Sequence, residues 1–103
     1  MTRVASRETL LALKIAAGRK VDLRDVAVLA VGPVTLERVR VLLEAWDRVA
    51  VLDHLRQLED ACLSPDFIDS LKGVHMLDDR GVQGMLDAAT RLAQSLRSHF
   101  LGT

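Results

Sequence analysis

Within residues 10–29 (LLALKIAAGRKVDLRDVAVL), one lysine and two aspartates are separated by a single tight turn, the only constellation in the chain with chemical promise. Read as a helix advancing about 100° per residue, Leu10, Leu11, Leu13, Ile15 and Ala17 cover one broad apolar arc, and Lys14 projects from its middle. Ala12 and Ala16 keep the far side small and apolar, so this helix is predicted to be buried on most sides. An ammonium group so placed must snorkel to an edge, pair with an acid or face a cleft, because desolvating it unpaired is costly. Gly18 ends the helix, with Arg19 and Lys20 beside its negative pole. Asp22 and Asp25 follow at the start of the next helix, where carboxylates are favoured. Two readings stand side by side. Either Asp22 is an ordinary N-cap and Lys14 with Asp25 an internal ion pair, or the three belong to a binding site.

The run Lys14-Ile15-Ala16-Ala17-Gly18-Arg19, then Asp22-Leu23-Arg24-Asp25, resembles the lysine-helix and Asp-x-x-Asp signature of AbiEii-type (abortive-infection) nucleotidyltransferases. The resemblance implies the helical C-terminal portion of a protein with the DNA polymerase β-like nucleotidyltransferase fold. That family includes toxins of bacterial and archaeal toxin–antitoxin systems. By the same resemblance Lys14, Asp22 and Asp25 belong to a nucleotide site. Lys14 would neutralise triphosphate charge, Asp22 or Asp25 would position a substrate group or orient the lysine, and Arg19 is a second candidate phosphate contact. The sequence departs from the family in two places. Val21 stands where the family usually has arginine, with Lys20 one place earlier, and no Gly-Gly or Gly-Ser turn leads into an Asp-x-Asp pair for magnesium. The chain is therefore expected to be inactive alone and to act as a subunit or interaction module. Magnesium and a nucleoside triphosphate enter only if a partner chain completes the site.

Arg48 and His54, with five residues between them, resemble the Arg-x(4–6)-His motif of HEPN-type ribonucleases. In such a site two copies juxtapose an arginine for phosphate charge and a histidine for proton transfer. Val49 stands where that family usually has a polar residue. A helical ribonuclease dimer is thus the alternative reading, and a purely structural helical interaction protein is the third. His54, His75 and His99 share no metal-ligand spacing with one another or with Cys62, so no metal is assigned. Gly81-x-x-Gly84 falls at or inside an amphipathic helix and is no phosphate loop. There is no Gly-x-Ser-x-Gly nucleophile elbow, and with no net charge and no basic helix interleaved with aromatics, nucleic acid is not an expected partner.

The composition says what must position these groups. Half the residues are hydrophobic but only 3% are aromatic, so the core is built of Leu, Val and Ala, which favours packed helices. The length suits one domain over residues 1–103. No apolar run reaches the roughly 20 residues of a membrane span. Met1-Thr2-Arg3 does not begin a signal peptide and Cys62 is the only cysteine, so a soluble cytoplasmic protein is expected. Basic and acidic residues number 14 each, yet residues 1–43 carry eight basic and four acidic side chains, and residues 44–87 four and ten. Such polarity is read first as a solvated face, and second as a means of orienting two copies or a separate domain.

In chain order, residues 1–5 are expected to form a frayed arm, and Ser6 to cap a first helix ending near Gly18. Asp22 is expected to cap the second, with Asp25 in a capping-box-like place, and Gly32-Pro33 to close it. Residues 26–31 are β-prone by composition but are assigned to that buried helix. From Thr35 to Cys62 the apolar spacing fits either one helix of about 28 residues or two joined near Asp47, with Trp46 anchoring the core. Ser64-Pro65 starts a short helix over 65–72 that Gly73 stops, and residues 74–77 connect it to the last helix, begun at Asp78 or Asp79. There Val82, Met85, Leu86, Ala89, Leu92, Ala93, Leu96 and Phe100 form one stripe. The expected fold is all-α, a compact bundle of four to six helices. It is expected to form a homodimer or to pair with a separate nucleotidyltransferase chain.

Overall fold

The apolar stripe of the last helix is the spine on which the other helices are laid. In the computed structural model, residues 6–75 and 78–101 are described, and among them there are six helices and no strand. They run α1 (Arg7–Ala17), α2 (Lys20–Ala30), α3 (Leu36–Leu43), α4 (Arg48–Ala61), α5 (Pro65–His75) and α6 (Asp79–Leu101). The arm expected over residues 1–5 lies outside the described residues, as do Met76 and Leu77 of the expected connector. All eight stripe residues of α6 are buried, and they pack against α2, α3, α4 and α5. The second hub is α1, which packs on α2, α3 and α4. The molecule measures 38 × 36 × 21 Å, a slab about two helix diameters thick.

Helix starts are capped locally or from a neighbour, and three helix ends are closed by side chains from other helices. Ser6 caps α1 by accepting from the Thr9 N–H at 3.1 Å. Glu8 accepts from the Thr35 N–H at 3.0 Å, tying the start of α3 to α1. Arg7 donates to the Leu29 carbonyl at 2.7 Å, His54 to the Ile15 carbonyl at 2.8 Å, and Arg48 to the Phe100 carbonyl. These acceptors lie in the last turns of α2, α1 and α6, where carbonyls have no partner within their own helix.

Several expectations are corrected. The first helix is not buried on most sides. Its core face is Leu11, Ala12 and Ile15, while Leu13 and Ala17, both to one side of Lys14, are exposed. The stretch 35–62 forms two helices. The chain turns at residues 44–46, and the Asp47 carboxylate restarts the helix by accepting from the Ala50 N–H at 3.3 Å. Because α3 ends at Leu43, Trp46 falls out of phase with its Val39 and Leu43 stripe and stands 48% exposed rather than anchoring the core. Finally, α5 passes through Gly73 to His75. A glycine does not stop a helix whose neighbours carry the hydrogen bonding, and space around its Cα is open.

Candidate functional site

Gly18 makes the site possible. Its φ of 68° reverses the chain in the left-handed region at the end of α1, with its N–H on the Lys14 carbonyl at 3.1 Å. The His54 ring lies against it so closely that a Cβ would sit 2.5 Å from ring atoms. Arg19 alone, extended, is then the N-cap of α2. Asp22 is therefore not the N-cap expected of it but the third residue of the helix. From there its carboxylate reaches back to the Arg19 N–H at 3.3 Å, half of a capping box. Asp25 is three residues further on, too far to reach that N–H, and serves Lys14 instead.

These placements bring the four sequence-predicted nucleotide-site residues together. The Lys14 Nζ lies 2.9 Å from Asp25 Oδ2 and 3.4 Å from Asp22 Oδ1. Arg19 Nε lies 2.8 Å from Asp22 Oδ2, with Nη2 3.4 Å from Oδ1. Asp22 is the buried member, 1% exposed, whereas the side chains of Lys14 and Asp25 are 34% and 40% exposed. The Arg19 guanidinium outweighs burial, which acts the other way, and holds the Asp22 carboxyl below its ordinary range. The hydrogen bond that Lys14 donates to Asp25 is the main cause raising the Lys14 pKa. Both groups are thus firmly charged near neutrality. Lys14 is no general base; it is a fixed positive charge on the outer face of α1.

What surrounds that charge is apolar. A shallow hollow of about 190 Å³ beside Lys14 and Asp25 is lined by Leu10, Val28 and Leu29. Across α1 a groove of about 320 Å³ runs between Leu13 and Trp46 over Thr9 and Ala12. The two cations and two carboxylates sum to zero, so any anion at Lys14 must share it with Asp25 or displace that carboxylate. An ammonium has three N–H donors, and the aspartates account for two of them.

Arg48 and His54, by contrast, are not brought together. Six residues apart on α4, they point about 120° apart around the helix axis. Arg48 holds the end of α6 and His54 the end of α1. Cys62 is buried beside Thr90, and burial pushes its thiol up, away from reactivity. Among the described residues no group of His, Cys, Asp and Glu side chains is arranged to hold a metal ion. Asp22 and Asp25 do not fit magnesium, which takes oxygens in octahedral array, because three of their four oxygens already face Lys14 and Arg19.

Sequence reasoning missed a cavity of about 530 Å³ between α2, α4 and α5. Its lining comes from three helices with no common spacing, so no linear pattern announces it. Comparison with known proteins gives no relative: no family model, no curated protein and no solved structure matches the chain. Among the described residues, no helix is long and apolar enough to cross a membrane.

Proposed function

We propose that this chain is a helical subunit, inactive alone, that supplies Lys14 to a nucleotide site completed by another polypeptide, as its resemblance to AbiEii-type nucleotidyltransferases implies. The observation that supports this reading is the Lys14 ammonium, positioned by the buried Asp22 and half-exposed beside apolar side chains of α1 and α2. Asp22 fixes the direction of the lysine, and Asp25, the more exposed acid, is the one an incoming phosphate would displace. Arg19 reaches the same cluster and is the second phosphate contact. The catalytic magnesium would be held by the partner's carboxylates, not by Asp22 or Asp25.

The test is a ¹⁵N-NMR titration of the chain with magnesium–ATP. Resonances of Lys14, Arg19 and Asp25 are expected to move, and the response is expected to vanish in Lys14→Met, a change that removes the charge and keeps an unbranched side chain in α1. A wild-type spectrum unmoved by millimolar nucleotide would overturn the nucleotide-site reading. One observation favours a second reading, a structural interaction module: Leu13 and Trp46 expose apolar surface beside the neutral ion-pair cluster. That reading predicts no nucleotide response and the same outcome for Lys14→Met as for wild type.

A further inference from the structure

The largest chemical asymmetry outside the Lys14 cluster lies on the opposite face of α2. Lys20, Leu23 and Arg24 recur there at helical spacing and turn away from Asp22 and Asp25. They form one wall of the cavity of about 530 Å³, within the range of small-ligand pockets. The floor is apolar, made by Leu23, Ala61 and Phe67. The facing wall, from the end of α4 and the start of α5, carries Asp60 and Asp66. Two cations thus oppose two carboxylates across an apolar floor, and among the described residues none of the four forms an ion pair. Arg24 is nonetheless held in place, because one guanidinium nitrogen donates to Ser70 Oγ at 2.7 Å. Its remaining N–H groups are left for a second acceptor, and a guanidinium fork suits a carboxylate.

A ligand that satisfies both walls at once carries a negative end, a positive end and an apolar middle. An amino acid has its two charges on one carbon, so it presents them together rather than at opposite ends. Two extended residues span roughly 7 Å, which separates the end groups on the scale of the cavity. We propose that this cavity binds a short apolar peptide with free ends, its carboxylate on Arg24 and Lys20 and its ammonium on Asp60 and Asp66. The side chains of the peptide lie over Leu23, Ala61 and Phe67, and Gln57 at the rim offers an amide to its backbone. This proposal is independent of the nucleotide reading, because it uses the other face of α2.

The probe is the dipeptide Leu-Leu, titrated into the intact chain and followed by ¹⁵N-NMR and calorimetry. Saturable shifts are expected at Leu23, Arg24, Ala61 and Phe67, with N-acetyl-Leu-Leu and Leu-Leu-amide each binding at least tenfold more weakly. Arg24→Gln is expected to abolish the preference for a free carboxylate and to keep that for a free amine; the double change Asp60→Asn, Asp66→Asn is expected to do the reverse. The blocked peptides read out the same two contacts on unaltered protein, so the result does not depend on the variants folding. Absence of saturable shifts with millimolar Leu-Leu overturns the proposal, and so does equal binding of the blocked and free dipeptides.

Discussion

Removing the Asp22 carboxylate leaves the Arg19 N–H, the Arg19 guanidinium and one contact of Lys14 without an acceptor. Loss of a cap and of charge-assisted hydrogen bonds together costs about 1–3 kcal/mol, so Asp22→Ala is expected to lower stability by that amount in urea denaturation. The same carboxylate sets an acid limit. Asp22, Glu8 and Asp79 are all held below their ordinary pKa values, respectively by Arg19, by the Thr35 N–H and by Lys72. Groups lowered on folding stabilise the protein above their unfolded pKa and lose that contribution as pH falls through the folded values. Thermal midpoints are therefore expected to hold between neutrality and about pH 5 and to fall progressively below about pH 4, less steeply in Asp22→Ala. Lys14 and Lys72 are raised, so their contribution is complete near neutrality and fades only as pH climbs above the ordinary lysine value. At Gly18 the left-handed φ alone costs an L-residue roughly 1–2 kcal/mol, and the His54 ring adds a clash. Gly18→Ala is expected to exceed that cost in a chemical melt and to weaken any response at Lys14.

At the scale of elements, what sequence could reveal depended on whether one helix sufficed to define the feature. The stripe of α6 is a property of a single helix with a 3.6-residue period, and all eight of its predicted residues are buried. The Ser6 and Gly18 boundaries of α1 are likewise local chemistry. Trp46 was misplaced because its phase depended on where α3 stopped, and that end is set by the Asp47 cap restarting the chain, with no glycine or proline to mark it. Asp22 was expected one turn away from its true role because the α1–α2 turn is shorter than the sequence suggests. The ion-pair cluster itself was legible, since it needs only two adjacent helices and a known turn. The cavity under α5 was not, because it needs three helices whose relative placement is tertiary. Gly73 and Gly84 sit inside α5 and α6, and a Cβ at either meets nothing within 4 Å. Alanine at each is expected to raise stability by roughly 0.5–1 kcal/mol, measured as an upward shift of the thermal midpoint.

For the whole molecule, the outer face of α1 carries a built-in reporter, the indole of Trp46. The chain has one tryptophan, half exposed beside Leu13 and the groove over Ala12. Its fluorescence is expected to be red-shifted and readily quenched by acrylamide in the free chain, and to turn blue and protected when a partner covers that face. Trp46 fluorescence unchanged across a titration that shows complex formation would place the interface elsewhere.

The cross-helix closure of the helix ends has a consequence for how the protein comes apart. Arg7 guards the tail of α2, His54 that of α1 and Arg48 that of α6, so each terminus depends on a neighbour staying folded. Fraying, ordinarily the cheapest excursion of a helical protein, is here linked from one segment to the next, and slow amide exchange should reach into final turns that would otherwise open first. A bundle wired this way is expected to open as one cooperative block rather than helix by helix.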